Sequence, residues 1–434
     1  MKGQTIRADE VFGVSQQVRT ASYVDRAGLD EAVGRYLNRD VHISLRGPSK
    51  SGKSWLRQMA VPDAIVVQCR LNKTVEDLYK EALGVLGISL VIRETKGGNF
   101  TGHVESSVGL GQSLIMKVSA KLGVTYTHNN ELQLEPVSQD ISDLRFIAEL
   151  FLASGRRLVV EDVHYLSHEE RRRLAYDLKT LWDFGVFVII VGIWSQQSLI
   201  DLNPDLSTRV REFSLDWNPE DLRKILERGE ETLNLSIAAP IKSLLVQYSY
   251  SNAGLLQALA LGLLDEAGFT SSSSTTFYLE DPDSFESAAM NLAESLNPLY
   301  QSFAKRTSAG IRKRQNSTGI YAHTMAVILD QDDATLIHGV HAREIYRQAH
   351  AREIRIQQPN LKVILRHLDE LQIDPEGRGL VVTYDEGQEE VTVVDLQLLL
   401  YRRFSTVNWP WEELVQEVAD REDVYGADTL FDLD

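Results

Sequence analysis

Residues 47–54 read Gly47-Pro48-Ser49-Lys50-Ser51-Gly52-Lys53-Ser54 and lie between an apolar run and a candidate helix. The pattern G-x-x-x-x-G-K-S in this context is typical of a phosphate-binding loop. Glycines at both ends let the backbone fold so that its N–H groups point inward, and the helix that follows adds the positive end of its dipole. The stretch therefore predicts a polyphosphate site at the start of an α/β domain.

The side chains around this loop have separate predicted roles. We expect Lys53 to reach the β and γ phosphates and the Ser54 hydroxyl to ligate Mg²⁺. Upstream, Arg26 precedes a segment of helical period and is placed to pack over an adenine ring; a solvated arginine is the alternative. The predicted nucleotide-binding residues are Arg26, Gly47, Pro48, Ser49, Lys50, Ser51, Gly52, Lys53, Ser54 and Trp55.

An apolar run ends in two adjacent carboxylates well after the loop, in Leu158-Val-Val-Glu161-Asp162. A magnesium-dependent nucleotide hydrolase needs one carboxylate on the metal side and a second that polarises the attacking water. By position we assign Glu161 to the metal, with Ser54, and Asp162 to the water. The order is unusual, since Asp-Glu is commoner than Glu-Asp, and a strand end entering solvent is the alternative.

Polar residues after two later segments complete the candidate site. Residues 203–213 predict a loop followed by a short strand, and an arginine on such a loop can neutralise transition-state charge in a neighbouring subunit. Arg209 is therefore a predicted catalytic residue, in addition to Asp162 and Glu161. The alternative is an ordinary surface arginine. Ser195 and Gln196, just beyond an apolar strand, are candidates for sensing a γ phosphate.

Composition limits the function classes. The chain has 434 residues, 43% hydrophobic and 25% charged, which allows two or three domains of ordinary globular character. The formal net charge of −17 argues against a surface that binds nucleic acid throughout. A single cysteine, Cys69, excludes a disulfide framework. The sequence opens on no signal-like segment, so a cytoplasmic protein without membrane contact is expected.

Apolar strands that alternate with helices predict an α/β fold, a P-loop NTPase with a mostly parallel sheet. Glycines that punctuate alternating stretches predict antiparallel hairpins in an insertion. The predicted domains are a P-loop ATPase core at 1–217 with a β-hairpin insertion at 93–138, a helical lid over the nucleotide at 218–270, a linker and helical segment at 271–320, a winged-helix domain at 321–405 and an acidic tail at 406–434.

Two regions of the sequence are candidates for binding a partner. The third helix of the predicted winged helix offers Lys362, Arg366 and His367, but it also carries acids, so protein contact is favoured slightly over DNA. Five cations at Lys305-Arg306 and 312–314 form a candidate site for an anionic partner, with a solvated loop as the alternative.

The order of phosphate loop, carboxylate strand, loop arginine, helical lid and winged helix resembles AAA+ and STAND ATPases, especially the initiator and transposition-helper branches. Val160-Glu161-Asp162-Val163-His164 resembles their strand-and-acid motif, with Glu in place of the usual first Asp. The third lid helix, at Asn252-Ala-Gly-Leu, lacks the arginine that many AAA+ members point at the γ phosphate. The architecture also resembles stand-alone bacterial ATPases of anti-phage defence operons, which act with a separately encoded effector.

This resemblance implies a homo-oligomeric switch that binds and hydrolyses Mg-ATP and regulates a separate partner or effector. The alternative is a nucleotide-gated DNA- or RNA-binding module with little hydrolysis. A small-molecule kinase is a third hypothesis, and the long helical carboxy-terminal half argues against it because no second phosphate-acceptor site is evident.

Overall fold

The computed structural model describes residues 5–94, 100–106, 110–121, 143–193, 199–309, 319–373, 380–412 and 415. The chain forms two compact units, Asp25–Asp216 and a second unit made of Met1–Val24 with Trp217–Asp434. The structure differs here from the predicted core at 1–217, because the described part of the first segment, with the short helix α1 (Ala8–Val11), shares an apolar cluster with the later helices.

The Asp25–Asp216 unit is built on a parallel sheet. Its described strands are β1 (His42–Arg46), β2 (Ile65–Gln68), β3 (Ile88–Glu94), β4 (Phe100–Ser106), β5 (Leu158–Glu161), β6 (Ile189–Gly192) and β7 (Val210–Ser214). Its described α-helices are α2 (Leu29–Leu37), α3 (Lys53–Ala60), α4 (Val75–Val85), α5 (Leu110–Lys121), α6 (Leu144–Ser154), α7 (His168–Asp183) and α8 (Leu199–Leu202). Five of the strands form the parallel sheet, in the order β2-β5-β6-β1-β7.

The central strands are apolar on both faces, and this explains their continuous apolar sequence. Val159 and Ile189 belong to one buried cluster, whereas their chain neighbours Val160 and Ile190 belong to another. Alternate side chains of a strand point to opposite faces, so each face of the sheet packs against its own apolar layer. The predicted mostly parallel sheet with covered faces is confirmed.

The sheet register brings the candidate site together. Ser44 of β1, Ile190 of β6 and Val160 of β5 form one row across three strands. Because the three strands are parallel, their carboxyl ends meet at one edge of the sheet. The residues that follow Val160 and Ser44 therefore place the carboxylates and the glycine loop at the same edge, with one strand between them.

The predicted insertion is only partly a hairpin. Strands β3 and β4 pair antiparallel, as expected. The stretch from Ser113 was predicted to continue as hairpins, but α5 occupies it as far as Lys121. Leu114, Ile115 and Val118 are buried there, and this i, i+1, i+4 spacing puts them on one helix face against the core. The rest of the predicted insertion, residues 95–99, 107–109 and 122–138, lies outside the described residues.

His42, at the start of β1, is a buried structural histidine. Val188 N–H donates to His42 Nδ1 at 2.9 Å, so Nε2 carries the proton and donates to the Leu178 carbonyl, also at 2.9 Å. Burial lowers the pKa of His42 from 6.5 to about 4. The folded protein therefore keeps this imidazole neutral where the unfolded chain would protonate it.

This histidine predicts a loss of stability in mild acid. As pH falls from about 6.5 to about 4, the unfolded state binds a proton at His42 that the folded state does not bind. The free energy of unfolding is expected to fall by up to about 3 kcal/mol from this group. Chemical denaturation at pH 7 and pH 4.5 measures the change, and a His42→Gln variant provides the non-titrating comparison. An equal pH slope in wild type and variant would contradict the prediction.

The second unit is mainly helical. Its described helices beyond α1 are α9 (Pro219–Leu233), α10 (Ala239–Tyr248), α11 (Ala253–Glu266), α12 (Asp283–Ala309), α13 (Ile320–Leu329), α14 (Asp333–His338), α15 (Ala342–Arg352), α16 (Gln358–Arg366), α17 (Leu368–Gln372) and α18 (Gln397–Phe404). Its described strands are β8 (Leu235–Ile237), β9 (Phe277–Leu279), β10 (Val340–His341), β11 (Val382–Asp385) and β12 (Glu390–Val393).

The amino-terminal segment is anchored to α9 and α11 by close packing. Phe12 is fully buried, and a Cβ on Gly229 would lie 2.0 Å from its ring, so only glycine leaves room for the phenyl group. Gln257 of α11 accepts a hydrogen bond from Gly13 N–H at 3.2 Å and donates to Ser22 Oγ at 3.0 Å. These contacts explain why the segment belongs to the helical unit rather than to the sheet.

The carboxy-terminal half contains helices α13–α17 and a small sheet of order β10-β12-β11. Five helices precede the β11–β12 hairpin where the sequence predicted three, because α14 is additional and the third predicted helix is divided into α16 and α17. At the start of the predicted acidic tail, the Trp409 and Trp411 rings stack at 4.6 Å, and Trp411 is buried. Apart from Val415, the residues beyond Glu412 lie outside the described part of the chain.

Across the described ranges, no helix combines the length and apolar character needed to span a bilayer.

Candidate nucleotide site

The glycine loop is a tight turn, and steric crowding and backbone angles explain why it contains glycines. A Cβ on Gly47 would lie 2.9 Å from Ser51 Oγ and 3.1 Å from Leu215 Cβ, so a larger residue would force the loop open. Gly52 has a φ of +87° and immediately precedes α3. Lys50 also has a positive φ, 60°. This alternation of backbone conformations followed by a helix amino terminus is the geometry of an anion-binding nest.

Lys53, the first residue of α3, turns back over the loop. Its Nζ donates to the Gly47 carbonyl at 2.8 Å and to the Pro48 carbonyl at 2.5 Å. Burial lowers its pKa from 10.5 to about 8, the Asp162 and Glu161 carboxylates oppose that shift, and the Arg26 charge adds to it. The ammonium therefore lies within electrostatic range of both predicted acids and of a second cation.

The two carboxylates differ in their surroundings. Glu161 ends β5 and is buried, and its Oε1 accepts from Arg57 Nε at 3.1 Å. Asp162 has left-handed backbone angles, φ 61° and ψ 35°, at the turn after the strand. Burial and the neighbouring Glu161 charge raise the pKa of Asp162, while Lys53 acts against the shift. A left-handed non-glycine residue at a strand end and a carboxyl of raised basicity both point to a functional position.

His164 fixes the turn that follows Asp162. Its Nδ1 accepts from Ile193 N–H, just beyond β6, at 3.3 Å. Burial, together with the Lys53 and Arg171 charges, lowers the pKa of His164 from 6.5 to about 3. A neutral imidazole therefore ties the carboxylate turn to the end of the neighbouring strand.

Arg26 lies at the loop. It is 6% exposed, and its Nη1 donates to the Ser51 carbonyl at 2.8 Å. Its Nη2 is 3.8 Å from the position that a Cβ on Gly52 would take. The guanidinium therefore adds positive charge beside the predicted phosphate position, and the adenine contact stays a prediction.

The oxygen donors of the site fit Mg²⁺ held together with phosphates. The Ser54 hydroxyl is exposed on α3, and Glu161 and Asp162 add carboxylates, all hard oxygen ligands. In the described residues, no group of three or more His, Cys, Asp or Glu side chains is arranged to hold a metal by itself. Mg²⁺ commonly takes one or two carboxylates and completes its shell with substrate phosphates and water. Trp55 follows Ser54 on the same helix, half-buried.

Arg209 is not brought to this site. It directly precedes β7, which runs parallel to β1, so it lies at the sheet edge opposite the glycine loop. Its guanidinium is 4.7 Å from the Trp182 ring centre, and Nη1 donates to the Asp205 carbonyl at 2.5 Å. Arg209 and the glycine loop of the same chain are therefore at opposite edges of the sheet. Ser195 and Gln196 lie outside the described residues.

Sequence reasoning missed two side chains at this site, Arg57 and His164. Arg57 lies four residues after Lys53, so both side chains project from one face of α3, and this spacing was a usable signal. His164 was noted only as part of a motif. Its bond to Ile193 depends on the pairing of β5 with β6, which spacing along the chain does not reveal.

No protein-family model matches the sequence, and no curated protein sequence matches it. Among solved structures, the Orc1 protein of Aeropyrum pernix in complex with DNA is 12% identical, with a TM-score of 0.39, and the match covers 88% of this chain and 93% of that chain. A STAND protein with a tetratricopeptide repeat sensor from Pyrococcus horikoshii is 13% identical, with a TM-score of 0.37, and the match covers 94% of this chain and 45% of that chain. Cdc6p of Pyrobaculum aerophilum is 11% identical, with a TM-score of 0.34, and the match covers 94% of this chain and 99% of that chain.

Proposed function

We propose that this chain is an AAA+/STAND-type molecular switch that binds and hydrolyses Mg-ATP, oligomerises and regulates a separately encoded partner. The observation that carries the proposal is that one ammonium group and two carboxylates come to the same edge of the sheet. Lys53 braces the glycine loop within electrostatic range of Asp162 and Glu161, which come from a strand two positions away in the sheet. A triphosphate and a divalent cation are the ligands that such a set of charges accommodates.

Each group has a role in the proposed reaction. The loop amides and Lys53 would bind the phosphates, and Ser54 and Glu161 would hold Mg²⁺. The metal, when bound, supplies positive charge that neutralises the phosphate oxygens. Asp162 would orient the attacking water and accept its proton at a carboxylate oxygen, a task favoured by its raised pKa. Arg209 would act on the nucleotide of a neighbouring copy, consistent with its position at the far sheet edge.

The proposal is tested with the whole chain. Phosphate release is measured with ATP in excess Mg²⁺ and again with the metal chelated, and light scattering is recorded with ATP and with ADP. We expect Mg²⁺-dependent release and a larger assembly with ATP than with ADP. Absence of phosphate release together with absence of ATP binding would remove the ATPase assignment.

Partner regulation and a role in anti-phage defence rest on the resemblance in architecture alone. A defence role is tested by phage challenge of cells that carry this gene with its chromosomal neighbours, compared with cells in which only this gene is deleted. Equal phage sensitivity would argue against that role.

The alternative, a DNA- or RNA-binding module, places the contact on the segment α13–β12, which we assign as a winged helix. The cations of helix α16 in this segment are paired with acids. Lys362 pairs with Glu389 at 2.6 Å, and Arg366 pairs with Glu386 at 3.2 Å. Phosphate contacts need unpaired cations, so these ion pairs favour a protein partner. The slope of binding against salt concentration distinguishes the two, and a steep slope would support nucleic acid.

A further inference from the structure

Helix α3 presents two cations on one face, one turn apart. Lys53 reaches the loop carbonyls, and Arg57 Nε lies 3.1 Å from Glu161 Oε1. The Arg57 side chain is 12% exposed and that of Glu161 is 7% exposed, so the ion pair is shielded from water. Of the two cations, Arg57 forms the ion pair with Glu161, whereas Lys53 donates to the loop carbonyls.

The buried Glu161 carboxylate cannot bind Arg57 and Mg²⁺ equally well at the same time. Its desolvation is compensated by Arg57, and breaking a buried pair without replacing the lost partner is costly. Mg²⁺ would supply a replacement with twice the charge. Arginine and the metal repel each other when both lie on one carboxylate, so gain of the metal and release of the guanidinium are coupled.

We propose that Arg57 is a positioning residue that competes with Mg²⁺ for Glu161, so that the Arg57–Glu161 ion pair sets how strongly the metal promotes nucleotide binding. This inference rests on the proposed function, because it takes Glu161 as the metal-side carboxylate. The pair holds Glu161 at the end of β5. The Arg57 cation also offsets the repulsion between the Glu161 and Asp162 carboxylates. The released guanidinium remains on α3, beside the phosphate loop.

The test is a double-mutant cycle read by binding rather than by turnover. A fluorescent ADP analogue is titrated into the whole chain with excess Mg²⁺ and with the metal chelated, and the ratio of the two dissociation constants is the Mg²⁺ enhancement. We expect Arg57→Met to raise this enhancement about tenfold, since the competing charge is gone. In the Glu161→Gln background the same substitution should change it less than about twofold, because no carboxylate charge is left to compete for.

A conservative variant guards against misfolding. Arg57→Lys keeps a cation on α3 and is expected to retain the wild-type enhancement within about twofold. Two results overturn the inference alone: an unchanged enhancement in Arg57→Met, or an equal increase with and without the Glu161 charge. A wild-type chain that binds no nucleotide under either condition overturns the proposed function as well.

Discussion

Replacing Asp162 with asparagine is expected to lower ATP turnover by about a hundredfold to ten-thousandfold while ATP binding stays nearly unchanged. The carboxylate lies near Lys53 but is not the partner of Arg57, and burial and Glu161 raise its pKa. Asp162 is therefore the carboxylate available to a water, and its raised pKa favours acceptance of the proton. Removing its charge removes the proton acceptor without removing the contacts that bind the phosphates.

Asparagine is chosen because of the backbone. Asp162 has a φ of 61°, a conformation that asparagine adopts readily and that costs an alanine about 1 to 2 kcal/mol. Phosphate release at saturating Mg-ATP gives turnover, and a fluorescent ATP analogue gives affinity. Asp183→Asn, the same substitution at the exposed end of α7, is the matched control. Turnover equal to wild type would remove Asp162 from its assigned role, and loss of affinity with turnover would indicate a structural role instead.

The sheet and the glycine loop were predictable because their signals are local. Val159 and Val160 pack on opposite faces, so a strand buried on both sides must be apolar throughout, and the sequence shows that directly. The glycine at position 47 is required within its own turn, where a Cβ would lie 2.9 Å from Ser51 Oγ. Where a residue's role depends on neighbours a few positions away, or on burial of a whole strand, pattern and structure agree.

The remaining features depend on contacts between distant residues. Phe12 belongs with α9 because Gly229 leaves a space for its ring, and neither residue suggests this alone. The Arg57–Glu161 pair joins positions 104 residues apart in the chain. Alternation around Ser113 suggested strands, yet burial of Ile115 and Val118 against the core selects a helix. In this last case, tertiary packing overrode the local pattern.

Replacing Lys53 with methionine is expected to weaken ATP binding about a hundredfold or more. Methionine keeps the apolar stem and removes the ammonium that braces the loop through Gly47 and Pro48. Burial lowers the pKa of Lys53 to about 8, so folding disfavours its charged form, and the variant should melt no lower than wild type at pH 7. Lys179→Met, at a partly exposed lysine of α7, is the matched control. Titration of a labelled ATP analogue, followed by anisotropy, measures the affinity.

The pH dependence of this binding separates a phosphate contact from a loop brace. A bound triphosphate favours the ammonium form, so the pKa of Lys53 should rise from about 8 when ATP binds. The complex then holds a proton that the free protein releases, and wild-type affinity should fall as pH rises above about 8. The Lys53→Met variant has no such proton and should show a flat profile over that range. If wild type and variant lose affinity in parallel as pH rises, the ammonium braces the loop and does not contact the phosphates.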